Sequence, residues 1–494
     1  MRPFLLVLTL AVLSACQAAS DAGTNAAKVA EKSKTEHCRV AGIDIALDCG
    51  MIEVFENRKA NAGRKIEIHF ALLRAKSDRK KPDPVFVIAG GPGQSAIKVA
   101  PLVLGALGKI NRERDIVFVD QRGTGESNAL SCDFDEDDEN FNFADPARLT
   151  VSIKECLAQA KTHADPALYT TTLAMQDLDD VRKFLGYGRI NLWGGSYGTR
   201  AELEYLRRYP DNVRSAVLDG VAPFDIKLPL SFVADGNAAL AALIADCEKS
   251  AECMKNYPKL AADIRKLLTD LTARPRRAEV MHPRTGEKIM VKVTTALVLG
   301  GLRGALYSPN VASLIPKAIQ AALKNDFAPI VTLVFSIAGP AQDQLAIGMH
   351  LSVVCTEDLP LVEAQNAHAV KNPQDFYGAE TIQDHQRMCA IWPRGEVPND
   401  YYDPVKSDIP VLLLSGGIDP ATPPRHAESV LKGLKKGKHL VAPHLGHGVS
   451  SQGCAPELIK RFIDDGNADM VDGACLAKIP RPTFYQPLIS KAAP

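Results

Sequence analysis

Neither sign of charge dominates this 494-residue chain: 58 Lys+Arg stand against 58 Asp+Glu, a formal net charge of zero. That balance excludes a protein that holds nucleic acid by neutralising its phosphates. Long apolar runs are also missing near the start, where the stretch from Phe4 to Leu13 falls short of the ~20 residues a membrane span needs. There is no internal repeat. No Cys-x-x-Cys or His-x-x-x-His spacing marks a metal site, and the reading calls for no cofactor. What remains is an ordinary globular composition, 46% hydrophobic and 23% charged, which excludes a disordered or collagen-like chain.

The first residues read as a targeting segment. Met1-Arg2, the short apolar run and the small residues after it describe a secretory signal over residues 1–15. Leu13-Ser14-Ala15-Cys16 resembles the lipobox of bacterial lipoproteins, which makes Cys16 the expected site of lipidation; an ordinary signal peptide that ends near a cysteine is the alternative. Residues 16–34 lack apolar periodicity and suit a tether. The expectation is an exported protein whose only membrane contact is this lipid, with Gln17 rather than Asp after Cys16 favouring the outer membrane. Cysteine usage agrees. Of eleven cysteines, setting Cys16 aside leaves an even number, as an oxidising compartment favours. They fall into neighbouring pairs, so the expected bridges are Cys38–Cys49, Cys132–Cys156, Cys247–Cys253, Cys355–Cys389 and Cys454–Cys475.

Residues 51–57 and 65–75 begin with the apolar/polar alternation of half-buried strands. Continuous apolar runs follow at Val85–Ala89, Ile116–Val119, Ile190–Trp193, Val213–Leu218 and Val411–Leu414, as strands covered on both faces require. Between two of them Leu173, Leu178, Val181, Phe184 and Leu185 keep helical spacing. Strands alternating with helices predict an α/β domain with a mostly parallel sheet. From 224 to 404 that alternation stops. Leu260, Ile264, Leu267, Leu268 and Leu271 predict one amphipathic helix there, and Val311, Leu314, Ile315, Ile319 and Leu323 another. The expected plan is therefore a core over 35–223 and 405–494, interrupted by a mainly helical insertion over 224–404. The acidic run from Asp133 to Glu139 reads as a solvated loop, and Lys432 to Lys438 as an exposed helix end.

Chemistry concentrates after those strands. Ile190–Trp193 is followed by Gly194-Gly195-Ser196-Tyr197-Gly198 and then by a helical run to Arg208. Gly-x-Ser-x-Gly between strand and helix makes a turn so tight that its flanks must lack side chains, and it pushes the serine hydroxyl out above the sheet. A serine needs a base, and the base an orienting acid. Asp419 follows the strand Val411–Leu414 in Gly416-Gly417-Ile418-Asp419-Pro420, whereas Asp403 and Asp408 lie at the wrong end of it. Of the two histidines in Pro443-His444-Leu445-Gly446-His447-Gly448, His447 is favoured because flanking glycines let the chain turn its imidazole towards Ser196. Gly90-Gly91-Pro92-Gly93 after Val85–Ala89 can present a bare backbone N–H, so Gly91 and Tyr197 are the expected oxyanion donors. A phosphate loop would need a Lys-Ser/Thr that does not follow.

Ala-Gly-Gly-Pro-Gly-Gln-Ser (89–95), Val-Phe-Val-Asp-Gln-Arg-Gly-Thr-Gly-Glu-Ser (117–127), the Ser196 motif, Ser-Gly-Gly-Ile-Asp-Pro-Ala-Thr-Pro (415–423) and Gly-His-Gly (446–448) occur together in this order. They resemble the α/β-hydrolases of the proline iminopeptidase group, and more closely the secreted tripeptidyl aminopeptidases. The resemblance implies an α/β-hydrolase fold with a cap, and a serine peptidase acting on free peptide N-termini with Ser196, Asp419 and His447 as its triad. Ala89 stands where proline iminopeptidases usually carry His, which weakens any transfer of prolyl specificity. In this group cap acids bind the substrate's α-amine, and Glu357 and Asp358 are the candidates; two acids merely beside a disulfide are the alternative. A carboxylesterase using the same triad is the rival function, so the expected partner is a peptide or a small ester. A ligand-binding protein on an inactive hydrolase fold is the reading from another class.

Overall fold

A computed structural model describes residues 35–132, 146–283, 285–342, 345–364, 375–378 and 380–486. Cys16, the signal and tether segments and the acidic run lie outside the described residues. The Val/Ile/Leu-rich runs do form strands, because each alternates its apolar side chains between two hydrophobic layers. Phe86 and Ile88 enter one layer, and Val85 and Val87 the other. Eleven strands are described: β1 (Glu36–Cys38), β2 (Leu47–Phe55), β3 (Lys65–Leu73), β4 (Val85–Ile88), β5 (Ile116–Val119), β6 (Ile190–Gly195), β7 (Val213–Asp219), β8 (Arg276–Met281), β9 (Lys288–Val293), β10 (Val411–Gly416) and β11 (Gly437–Ala442). Nine of them make one sheet in the order β1-β2-β3-β5-β4-β6-β7-β10-β11. The first three pairings are antiparallel, and those from β5 through β11 are parallel.

Helices cover both faces. α1 (Ala100–Leu107) lies on one face, while α2 (Pro146–Lys161), α3 (Thr171–Phe184) and α4 (Tyr197–Arg208) lie on the other. Between β7 and β10 come α5 (Leu230–Lys249), α6 (Ala251–Asn256), α7 (Leu260–Ala273), α8 (Thr295–Leu306), α9 (Pro309–Ala312), α10 (Ile315–Ala322), α11 (Ala328–Gln342), α12 (Ile347–Val353), α13 (Leu359–Glu363) and α14 (Glu380–Cys389). α15 (Pro424–Leu431) and α16 (Ala455–Asp465) complete the core. Among the described residues α5 alone is long and apolar enough to cross a membrane, and it packs against α6 and α8 inside the cap.

The cap departs from expectation in two places. β8 and β9 pair as an antiparallel hairpin within the insertion expected to be mainly helical, at a place where no strand is anticipated. Ile289, Val291 and Val293 do alternate with more exposed residues in β9, a strand signal that the helical reading passed over, although only Val280 and Val293 of the pair are fully buried. The single helix expected over 311–323 is broken into α9 and α10, because Pro316 enters the first turn of α10, where its missing N–H is tolerated. Lys432 caps the end of α15, but Gly437 and Lys438 already belong to β11. Five disulfides join Cys38–Cys49, Cys132–Cys156, Cys247–Cys253, Cys355–Cys389 and Cys454–Cys475.

Candidate active site

Strand order brings the site together. β4 lies beside β6, with Ile88 opposite Gly194, so the loops after both strands leave the sheet side by side. Such a carboxyl-end crevice, where consecutive strands depart to opposite sides, is where open α/β sheets hold their ligands. At the end of β6 the chain turns sharply into α4, and Ser196 at the turn has φ 56° and ψ −126°. A conformation of this kind costs about 1–3 kcal/mol and persists only where the surroundings enforce it. Here they do. A Cβ on Gly198 would stand 2.3 Å from the Ile88 carbonyl oxygen, and one on Gly194 would stand 2.6 Å from the Glu202 carboxylate. Only glycine fits at either flank.

The loop after β4 closes over this turn. A Cβ on Gly90 would come within 3.1 Å of the Ser196 Cβ, so the Gly-Gly-Pro-Gly backbone lies directly against the serine. Asp120, at the end of β5, holds that loop: its carboxylate accepts from Ser95 Oγ at 2.7 Å and from the Ile97 N–H at 3.1 Å. Gly91 has φ 105°, a conformation closed to most other residues. Tyr197 begins α4, where the first backbone N–H groups of a helix have no intrahelical acceptor and favour negative charge.

Asp419 and His447 arrive from β10 and β11. His447 Nδ1 stands 2.8 Å from Asp419 Oδ2, while His444 is exposed. The other Asp419 oxygen accepts from the backbone of Ala421 and Thr422, and Thr422 Oγ1 donates to Oδ2 at 2.8 Å. Burial pushes the Asp419 carboxyl up, but the His447 charge and these hydrogen bonds win and hold it below the ordinary carboxylate range. For His447, burial pulls the imidazole down. The Asp419 charge and hydrogen bond, with the field of Asp219, outweigh it and raise it above the usual histidine value.

Asp219 was not anticipated. Its carbonyl accepts from the Ser196 N–H at 2.8 Å, and its buried carboxylate accepts from the N–H groups of Val449 and Ser450. One residue therefore ties the serine turn to the histidine loop. A Cβ on the next residue, Gly220, would lie 3.2 Å from His447 Cε1, so both loops converge there. The only sequence sign was an acid before a glycine at a strand's end. Thr422 had a better one, as a hydroxyl three residues after Asp419 that can return to it. Tyr307, at the end of α8, was missed as well. Its ring meets the His447 ring edge-on at 4.9 Å, and its carbonyl accepts from the His447 N–H at 2.9 Å.

Glu357 and Asp358 sit in a π-helical turn between α12 and α13 and are fully buried. Both Asp358 oxygens accept from Arg200 of α4, at 3.0 and 2.8 Å. Glu357 accepts from Thr171 N and Oγ1, each at 2.7 Å, and from the Tyr401 hydroxyl. Thr171 Oγ1 in turn lies 2.7 Å from the hydroxyl of Tyr197. Desolvation raises both carboxyls despite Arg200 and these donors. The cap thus touches His447 through Tyr307, α4 through Asp358, and the glycine loop after β4 through Ala346, whose N–H donates to the Gly93 carbonyl at 2.9 Å. Among the described residues no group of His, Cys, Asp and Glu is arranged to hold a metal ion.

The fold and this arrangement define an α/β-hydrolase. The family model described as alpha/beta hydrolase fold matches residues 83–238, and the model described as TAP-like protein matches 374–475. The chain is 26% identical over 439 residues to the serine protease Hip1 of Mycobacterium tuberculosis, covering 82% of this chain and 83% of that one. It is 22% identical over 468 residues to the tripeptidyl aminopeptidase of Streptomyces lividans, covering 88% and 85%. A proline iminopeptidase of Neisseria gonorrhoeae matches over 139 residues at 28% identity, 28% of this chain and 32% of the other. The solved proline iminopeptidase of Mycobacterium smegmatis covers 84% of this chain and 98% of its own at 14% identity, with a TM-score of 0.36, too low to add to these matches. The chain is a hydrolase of the α/β-hydrolase fold, similar in sequence to serine peptidases.

Proposed function

We propose that the protein is an exported peptidase that removes residues from free peptide N-termini, with Ser196, His447 and Asp419 as its triad. The observation that carries this is the His447–Asp419 pair, 2.8 Å apart, at the sheet end that carries the strained Ser196 turn. His447 takes the Ser196 proton as Oγ attacks the scissile carbonyl, and the Asp419 carboxylate steadies the imidazolium. The Gly91 and Tyr197 N–H groups receive the oxyanion. His447 then gives its proton to the departing amine, and a water activated by the same imidazole releases the acyl group from Ser196. The amine contact falls to Glu357. Arg200 is matched by Asp358, so one negative charge stays unbalanced beside Tyr197, and an arriving ammonium would take the place of the Tyr401 or Thr171 donor. Five disulfides and the likeness to Hip1 support export, and the signal, the lipid on Cys16 and the outer membrane belong to the same proposal.

A second reading, a carboxylesterase, is favoured by one observation: both cap acids already have protein partners. Fluorogenic peptide amides with free and with acetylated N-termini, beside a p-nitrophenyl ester, separate the two. Turnover of free N-termini alone is expected, with Ser196→Ala inert and Glu357→Gln losing roughly 30-fold or more in kcat/KM on free peptides, the worth of a buried charge pair. Ester cleavage with both peptides untouched would replace the aminopeptidase by the esterase. Mass spectrometry of cell-derived protein should find residues 1–15 gone and Cys16 acylated.

A further inference from the structure

α8 brings a cation close to the proposed base. Arg303 lies one helical turn before Tyr307, and its Nη2 donates to the Tyr307 hydroxyl over 3.4 Å. Its guanidinium carbon stands 3.8 Å from the centre of the Phe232 ring and 5.9 Å from that of Tyr307. Tyr307 is itself in contact with the His447 ring. The guanidinium is thus one side chain away from the imidazole, and its charge is felt there, opposing protonation of His447.

Stacking on Phe232 holds the Arg303 guanidinium but leaves its donors little used. A guanidinium offers five N–H donors, and the long bond to Tyr307 uses one of them weakly. Its Nε is buried with no hydrogen-bond partner among the described residues, and no described carboxylate forms an ion pair with it. Acids in the same quarter are engaged elsewhere: Asp235 faces Arg425 and His426, and Asp419 faces His447. Stacking on aromatic faces fixes the plane of a guanidinium while leaving its edge free for a planar anion.

The chemistry identifies which half of a substrate would meet it. The histidine of a serine hydrolase passes its proton to the departing atom, so the departing half lies on the flank of the base. We propose that Arg303 binds a carboxylate on the departing half of the substrate and makes the enzyme selective for leaving fragments that carry one within a residue or so of the scissile bond. Such a carboxylate has two sources, the C-terminus of a very short peptide or an acidic side chain next to the cleaved bond. The inference rests on the triad mechanism proposed above, and on the peptide reading only for the choice of substrate.

The test compares kcat/KM on matched pairs for the wild type, Arg303→Lys and Arg303→Gln. One arm sets free dipeptides against their C-terminal amides, and a second sets Asp against Asn after the scissile bond in C-terminally amidated peptides. A third arm sets acetate esters of 4-hydroxybenzoate against those of 4-hydroxybenzamide, whose leaving groups differ in the carboxylate. The wild type should favour the carboxylate member in at least one arm by roughly 10- to 100-fold, the range of charge-assisted hydrogen bonds. The Gln variant should bring that ratio near one and the Lys variant should keep part of it. Preference in the first two arms tells C-terminus from side chain. Selectivity in the ester arm with peptides untouched would end the peptidase reading and uphold the role of Arg303. A wild-type ratio near one in every arm that turns over, or a Gln variant that slows both members equally, would overturn the proposal.

Discussion

At the scale of the residue, function comes down to how protein surroundings set the readiness of a few groups. His447 can act as a base only when neutral, and its partners raise it above the ordinary imidazole value of about 6.5. The proton on its ring is therefore lost only at higher pH, so kcat/KM should climb along a limb whose midpoint lies above about 6.5. Asp419→Asn removes the charge and the preferred tautomer together. The limb should then move to lower pH and the plateau fall by roughly 10⁴-fold, as loss of an orienting carboxylate does in other triads. A pH profile of kcat/KM for both proteins checks this, and an unmoved limb would mean that Asp419 does not face the working base. Asp219 belongs to the same scale. It touches no reacting atom in the proposed mechanism, yet its carbonyl and carboxylate hold the serine turn and the histidine loop in one frame.

Between elements, the decisive contact is the approach of α4 to β4. The helix begins almost against the strand, and Gly198 is the point of closest approach. Gly198→Ala would press a methyl onto the backbone oxygens of Ile88 and Ala89, which belong to the centre of the sheet and cannot yield cheaply. The expected cost is about 3 kcal/mol, the upper end for overpacking, together with a large fall in kcat as the Ser196 turn opens. Denaturant unfolding and steady-state kinetics read the two effects separately. In the cap, element boundaries depended on details that periodicity cannot carry. Pro316 divides α9 from α10 although the apolar spacing runs on through it, and the alternation of Ile289, Val291 and Val293 in β9 is confined to one short strand whose residues other than Val293 stay partly exposed.

For the whole molecule, the cap and the disulfides act together. Cys355–Cys389 ties the π-helical turn that carries Glu357 and Asp358 to α14. With its ends 34 positions apart in sequence, the bridge should contribute about 3–4 kcal/mol by restricting the unfolded chain. Its loss should lower the unfolding temperature by roughly 4 °C, since the unfolding entropy of a chain this long allows only about 1 °C per kcal/mol. Thermal unfolding of Cys355→Ala/Cys389→Ala beside the native protein measures this. An unchanged Tm would show that buried contacts such as Arg200–Asp358 hold the cap without the covalent bond.

The sequence by itself determined most strands of the main sheet and their crossovers, the serine turn, and the loops that carry Asp419 and His447. Each of these is local: a run of β-branched residues, or a glycine where no side chain fits, declares itself within a few positions. It left open which elements the cap would lay against that framework. Only the tertiary structure decided that Asp219 braces the Ser196 turn and the His447 loop, that Tyr307 lies against His447, and that Glu357 and Asp358 are buried among Thr171, Arg200 and Tyr401. Most of those contacts join residues from 44 to 230 positions apart, and a pairing across such a distance leaves no periodicity in the chain; it exists once burial and charge have selected one packing.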